Sequence, residues 1–333
     1  MNRRSSFMLV PILLFLLGFA LLIKGGDWFV DGSVGIAHRF HLPELLIGAT
    51  IVSIGTTLPE VMVSSQAAIE HNAGISYGNA IGSIICNTSL IAALTLSFRP
   101  GTVNSKTYIL PSAFFFTAAV IYSANAYIFK RFDRWIGILF LVIFVVYIVW
   151  STIQMKQHPE LAEEESEEEE EAESKPKALW LEIVLLVVGA AAIAVGARLL
   201  VDNGTLIAQA LGVPDSVIGL TMVALGTSLP ELITAITSLI KGHGALSLGN
   251  VIGANLFNIV LVSGTAITIS PFAIPAEKTI AGLNSSLIVD IPVMLGVMIL
   301  LCYPPLFKGK LYRWQGILLL CIYVAFTVYQ FAV

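Results

Sequence analysis

Gly55-Thr56-Thr57-Leu58-Pro59-Glu60 lies inside one apolar stretch of this 333-residue chain, and Gly226-Thr227-Ser228-Leu229-Pro230-Glu231 lies inside another. A carboxylate deep in hydrocarbon costs about 3 kcal/mol or more. Two of them in matching contexts imply a shared ligand that makes both tolerable. That ligand is expected to be a cation, because neither motif contains a Lys or Arg to pair with its Glu.

The chain around the motifs has the composition of a polytopic membrane protein: 56% hydrophobic and only 12% charged residues. A spanning helix needs about 20 mostly apolar residues. Ten such segments are read, at roughly 7–30, 43–70, 76–98, 107–127, 133–154, 179–205, 214–240, 246–269, 284–303 and 313–332. The first follows Arg3 and Arg4, as a signal peptide would. No clear small-residue cleavage site follows it, so it is expected to be retained as a span. Cys86, Cys302 and Cys321 all lie in apolar segments and offer neither a disulfide framework nor a CxxC metal site. Ten of the fourteen residues in 160–173 are Glu. Such a run repels itself and is expected to be a solvated spacer; Ca²⁺ sensing is the sharper alternative.

That acidic run divides two copies of one unit. Adding 171 to a first-half number gives its counterpart without a gap from Gly25 to Asn87. Val30-Asp31 matches Val201-Asp202, Pro43 matches Pro214, Ile47-Gly48 matches Ile218-Gly219 and Thr50 matches Thr221. Gly78-Asn79 matches Gly249-Asn250, Gly82 matches Gly253 and Asn87 matches Asn258. Ungapped identity of this extent marks an internal repeat. Five spans per half is an odd number, so the second half enters the membrane from the opposite side. The expected fold is therefore an all-α polytopic membrane protein, with ten transmembrane helices as two inverted five-helix repeats. The first repeat covers 1–155, an acidic cytoplasmic linker 156–178, and the second repeat 179–333. Inverted repeats with polar breaks at corresponding places are the signature of a secondary transporter with a midplane site. Positive-inside counting favours both termini outside, with ten Lys/Arg in inner loops against six in outer ones.

The motif supplies hard oxygen ligands. Pro59 and Pro230 each remove a backbone donor and are expected to free carbonyls near Ser53–Gly55 and Ala224–Gly226. Thr56, Thr57, Thr227 and Ser228 add hydroxyls within a turn of each Glu. Ser83 and Asn87 are four apart and share a helix face, and Asn258 repeats the arrangement. Carboxylates, hydroxyls and bare carbonyls suit Ca²⁺ or Na⁺ rather than soft transition metals. Two ionised glutamates make a site of charge −2, which one Ca²⁺ or two Na⁺ neutralise. Gly78, Gly82, Gly249 and Gly253 form small-xxx-small spacings, read first as packing.

G-T-[ST]-L-P-E followed by G-N-x-I-G-[SA] and Asn, present twice in ten spans, resembles the α-repeats of the cation/calcium exchanger superfamily, and most of all the compact prokaryotic sodium/calcium exchanger type. The resemblance implies an antiporter working by alternating access, with the first and sixth helices sliding against a core that holds the ions. It implies that Glu60 and Glu231 are the shared Ca²⁺/Na⁺ carboxylates and that Thr56 and Thr227 give backbone carbonyls to Ca²⁺. It implies that Ser53, Thr57 and Ser83 line one flanking Na⁺ site, that Ala224, Thr227 and Ala254 lie at the other, and that Asn87 and Asn258 flank the centre. Two positions depart from the family pattern. Ala254 stands where members commonly carry Ser, and Asn258 where close relatives often carry Asp, which leaves the centre only two acids.

Transported Ca²⁺ and Na⁺ and membrane lipid are the expected partners. No cofactor, enzymatic activity, nucleic acid or obligate protein partner is inferred, and the expected location is the prokaryotic cell (inner) membrane. Ca²⁺/H⁺ and K⁺-dependent Na⁺/Ca²⁺ exchange stay open as alternatives. The proton exchangers place their acid in G-N-x-x-E, whereas Gly78-Asn79 is followed by Ala80-Ile81-Gly82. A channel, an intramembrane protease and an ATP-driven pump fit less well: the site suits occlusion, no His is expected within a span, and no nucleotide motif is present. His38, His41, His71, His158 and His243 are read as loop residues at the surface, and Asp31, Asp202 and Asp290 as structural or interfacial.

Overall fold

The computed structural model describes residues 2–157, 178–211, 224–276, 279–280 and 282–332. Among them are ten main helices: α1 (Asn2–Arg39), α2 (Glu44–Ile69), α3 (Ala73–Phe98), α4 (Ser105–Phe129), α5 (Arg134–Gln157), α6 (Leu179–Ala210), α7 (Leu229–Ile240), α8 (Gly244–Ile269), α9 (Ser286–Lys308) and α10 (Arg313–Ala332). A single turn, Ala224–Thr227, precedes α7. Eight of the described helices are long and apolar enough to cross a membrane; α7 and α10 fall outside that set. Most of the acidic segment 156–178 lies outside the described residues, as do His158, Pro214, Ile218, Gly219 and Thr221.

Helix ends differ from the sequence reading where packing extends a helix past its apolar stretch. α1 runs to Arg39 rather than ending near residue 30, and α6 to Ala210 rather than 205. At 1.5 Å per residue the 38 residues of α1 measure about 57 Å, well beyond a hydrocarbon core of about 30 Å. These two helices bury their polar ends on each other. Arg39 holds Glu182 through Nε to Oε2 at 2.8 Å and Nη2 to Oε1 at 3.1 Å.

Their crossing shows the two-fold relation of the repeats directly. A Cβ built on Gly18 would stand 2.8 Å from the Gly196 carbonyl oxygen, and one on Gly196 2.8 Å from that of Gly18. Gly25 and Gly189 repeat the reciprocal contact at 3.0 and 2.9 Å. Gly18 and Gly25 match Gly189 and Gly196 under the same shift of 171. Only glycine lets the two backbones touch here.

The remaining helices form a denser body around α3 and α8, whose core includes Ile84, Ile85, Leu256 and Phe257. Repeat-equivalent hairpins share a tie: Ser76 Oγ donates to Ser64 O at 3.4 Å, and Ser247 Oγ to Ala235 O at 3.3 Å. Short strands fasten the loops. β1 (Arg131–Phe132) pairs antiparallel with β2 (Phe272–Ala273), and β3 (Thr279–Ile280) forms a hairpin with β4 (Leu283–Asn284). Trp135, Trp180 and Trp314 stand exposed in the first turns of α5, α6 and α10, where interfacial aromatics belong.

The small-residue spacings behave differently in the two halves. A Cβ on Gly249 would overlap the Leu45 backbone, and one on Gly253 would overlap Ser53 and Ala49, so α8 lies directly on α2. Gly78 and Gly82 have nothing within 4 Å of an added Cβ. Gly249→Leu is therefore expected to lower the melting temperature in detergent, by an overpacking cost of about 1–3 kcal/mol. Gly78→Leu is expected to leave it unchanged; equal losses in the two variants would rule out this asymmetric packing.

Candidate cation-binding site

Both glutamates sit in the interior, fully buried. Glu60 lies on α2, a turn past Thr56 and Thr57; Glu231 lies in the first turn of α7. Neither carboxylate accepts a hydrogen bond from any described residue through either oxygen. The two charges interact with each other, and the hydroxyls of Thr56 and Thr57 lie beside Glu231, so the two repeats meet at one centre. An orphaned buried carboxylate costs several kcal/mol, and here two lie close enough to interact.

Other buried polar atoms without a protein partner lie on the repeated motifs, while further ones, Tyr122 Oη and Ser151 Oγ among them, lie elsewhere. Those on the motifs include Thr57 Oγ1, Ser228 Oγ, both side-chain polar atoms of Asn87 and Oδ1 of Asn258. Asn258 Nδ2 is engaged, donating to the Ala254 carbonyl at 3.0 Å. Asn87 and Asn258 each open a π-helical turn, over Asn87–Ala92 and Asn258–Ser263. Such turns widen the helix and displace carbonyls from the regular ladder, and they recur at functional sites. Ser83, one turn before Asn87, is buried on α3.

Ser53 makes the most oxygen-rich contact. Its Oγ lies 2.8 Å from the Gly48 carbonyl, 3.0 Å from the Asn250 carbonyl and 3.3 Å from Asn250 Oδ1. One hydroxyl proton serves one of these acceptors at a time. Thr56 Oγ1 donates to the same Asn250 Oδ1 at 3.1 Å. Five oxygens thus converge where α8 crosses α2, and no cationic side chain stands among them.

Glu60, Glu231, Ser53, Thr56, Thr57, Ser83, Asn87, Ser228 and Asn258 are all buried, with Thr227 half-buried in the turn before α7. Ala224 opens that turn, and its side chain lies outside the described residues. The two proline breaks are not alike. α2 continues through Pro59, and its irregularity sits upstream in a π-helical turn over Gly48–Val52. The second copy does break: Ser228 interrupts the helix and Pro230 sits in the first turn of α7.

Several polar residues matter more than their sequence context suggests. Asn250 ties α8 to Ser53 and Thr56, and its counterpart Asn79 donates to Glu60 O at 3.1 Å and Ser64 Oγ at 2.8 Å. Their identity within the repeat was the available signal. Asn255 donates to Thr88 Oγ1 at 2.8 Å, and its repeat-equivalent is Ile84, so symmetry hides it. The histidines require a correction. His38 lies in the last turn of α1, and His243 is buried at the start of α8. Both ring nitrogens approach Glu44 Oε1, at 3.1 and 3.0 Å. Asp31 also has more than a backbone role, pairing with Lys241 Nζ at 2.7 Å. Asp202 pairs with Arg198 at 3.5 Å, and Asp290 accepts from Gln330 Nε2 at 3.0 Å, both outside the centre.

The sodium/calcium exchanger protein family matches this chain over residues 10–153 and 181–332. An uncharacterized membrane protein of Methanocaldococcus jannaschii is 38% identical, over 93% of this chain and 94% of its own. The sodium/calcium exchanger MaX1 of Methanosarcina acetivorans is 33% identical, over 97% of this chain and 99% of its own. Among solved structures, the sodium-calcium exchanger NCX_Mj soaked with Na⁺ and Ca²⁺ superposes with a TM-score of 0.78 at 34% identity, covering 95% of this chain and 97% of that one.

Asn250→Ala removes the acceptor that fixes the Thr56 hydroxyl and one of the three acceptors around Ser53 Oγ. At about 1 kcal/mol per orienting hydrogen bond, Na⁺ affinity measured by titration calorimetry is expected to fall roughly five- to thirty-fold. An unchanged affinity in a correctly folded variant would show that these hydroxyls do not face the ion.

Proposed function

Since the chain belongs to the sodium/calcium exchanger family, we propose that it is a secondary antiporter exchanging Ca²⁺ for Na⁺ across the membrane by alternating access. The observation that carries this reading is the pair of buried carboxylates, Glu60 and Glu231, whose four oxygens accept no hydrogen bond from the described protein. A site of charge −2 is neutralised by one Ca²⁺ or by two Na⁺. Ions that compete for the same oxygens from alternate sides are exchanged rather than co-transported.

Glu60 and Glu231 hold Ca²⁺ jointly, with backbone carbonyls from Thr56 and Thr227. Ser53, Thr57 and Ser83 serve one flanking Na⁺ position, and Ala224, Thr227 and Ser228 serve the other. Asn87 and Asn258 stand on either side of the centre as neutral oxygen donors. Ala254 adds no hydroxyl, so the second flanking position relies on Ser228 and on carbonyls freed at the break before Pro230.

The repeats span 1–155 and 179–333, joined by the acidic segment. The termini lie outside, and the ends of α1, α3 and α7 face the cytoplasm. Within this arrangement α1 and α6 move as one glycine-locked pair against the body formed by the other helices. The unequal geometry of α2 and α7 supports alternation, since inverted repeats exchange conformations when the open side changes.

Glu60→Gln and Glu231→Gln preserve shape but remove one negative charge each. Either is expected to abolish ⁴⁵Ca²⁺ uptake into Na⁺-loaded proteoliposomes, with an unchanged elution profile in gel filtration. Robust uptake by either variant would overturn the site assignment. Uptake by the unaltered protein driven by a pH gradient alone would overturn Na⁺ coupling in favour of proton exchange.

A further inference from the structure

The inverted repeat supplies an internal control for every loop, because each inner connection has an outer counterpart related by 171 residues. The backbones of one such pair agree closely. Asn72 N bonds to Ala67 O at 2.8 Å, and His243 N bonds to Ser238 O at 2.8 Å. Arg99 N bonds to Thr95 O, and Ser270 N bonds to Ala266 O.

The side chains on these matched backbones diverge. At the outer loop, Asn72 caps α3 by accepting from Ile75 N at 3.1 Å, and His71 Nδ1 meets Ser270 Oγ at 2.9 Å, bridging the two connections. At the inner loop, the position of Asn72 is taken by His243, which makes no cap and turns its ring to Glu44. The position of His71 is Gly242, and that of Ser270 is Arg99. Between them lies a cavity of about 290 Å³. It is lined by Arg99, Gly101, Thr102 and Asn104 from the first repeat and by Gly244 and Ser247 from the second.

We propose that this cavity is an anion site that takes a phosphate group, carried either by an acidic phospholipid headgroup or by a soluble phosphate compound. The Arg99 guanidinium lies at its wall, anchored through Nη1 to the Leu239 carbonyl at 2.9 Å. Arginine matches phosphate oxygens in both charge and geometry. The first turn of α8, where the His243 side chain makes no capping hydrogen bond, forms another wall, with its positive dipole end at the cavity. Positive charge continues around the rim. The segments 99–106 and 307–313 hold Arg99, Lys106, Lys308, Lys310 and Arg313 and no acid. They are held side by side by the pairing of Thr102 with Lys310 and by Leu311 N bonding to Gly101 O at 2.8 Å. The carboxylate next to the lining, Glu44, is engaged through Oε1 by His38 and His243. In the proposed orientation the cavity opens at the inner membrane surface, the depth at which lipid phosphates lie.

The test uses the full chain in detergent micelles with two probes, phosphatidylglycerol against phosphatidylcholine by native mass spectrometry and inorganic phosphate by calorimetry. Arg99→Ser imports the residue of the outer counterpart. Gly244→Phe keeps Arg99 and fills the cavity, where an added Cβ meets nothing within 4 Å. Preferential retention of phosphatidylglycerol, weakened about tenfold in both variants, would support a headgroup site. Saturable phosphate binding lost in both variants, without lipid preference, would support a soluble ligand. If neither probe distinguishes the unaltered protein from both variants, the proposal is overturned.

Discussion

The two buried carboxylates set the terms for the rest of the molecule. Glu60 and Glu231 are fully buried, and none of their four oxygens makes a well-formed hydrogen bond with a described residue, although the Thr56 and Thr57 hydroxyls lie beside Glu231. A chain stabilised by only a few kcal/mol cannot carry two uncompensated charges in a low-dielectric interior. In the proposed exchanger the bound cation supplies that compensation. The surrounding oxygens of Ser53, Asn250 and Gly48 show the same bias, with more lone pairs than protons. The protein tolerates this arrangement because its neighbours are tightly packed. α8 lies on α2 at Gly249 and Gly253, and the Tyr147 hydroxyl, donating to the Ala49 carbonyl at 2.8 Å, braces the same segment from α5.

Charge pairs are placed with similar economy at the edge of this body. Arg39–Glu182 joins α1 to α6, within the pair that also interlocks through Gly18, Gly25, Gly189 and Gly196. Lys241 reaches from the end of α7 to Asp31 on α1, and His38 of α1 meets Glu44 of α2. The backbone contact within the α1–α6 pair is permanent in character, because two glycine-lined surfaces have no side chains to rearrange. The contacts between that pair and the rest include these polar ties near helix ends as well as apolar ones, such as Phe29 and Ala190 against Gly55 and Ile233 against Gly26. This division suits a unit that slides without deforming.

Much of this architecture was legible in the sequence because the repeat converts weak signals into strong ones. A lone Glu beside a Pro says little; a hexapeptide matching at five of six positions 171 residues later, with Gly-Asn and Asn following at equal distances, marks the repeat and points to a shared centre. Where the copies agree in sequence but differ in structure, the sequence was silent. Nothing in Gly55–Glu60 or Gly226–Glu231 distinguishes a helix that runs through its proline from one that breaks before it. Gly78 and Gly249 are identical by the repeat, yet one faces open space and the other touches Leu45. Such differences belong to the conformation adopted, not to local propensity. Residues that break the repeat were hidden for the opposite reason. His243, Asn255 and Arg99 answer to Asn72, Ile84 and Ser270, so a search for matches passes over them.

Those mismatches carry information of their own. Two halves that must interconvert by swapping roles are constrained to keep the residues the transported ion sees, whichever side is open. Gly-Thr, Leu-Pro-Glu and the two asparagines obey that constraint. Surfaces that face only one compartment are released from it. The Glu44 cluster and the Arg99 cavity both lie at one end of the body, and both use residues without a like partner in the other half. Departures from the repeat at these two places therefore point to functions tied to one face, whereas Ser53/Ala224 and Ser83/Ala254 depart within the proposed ion site itself.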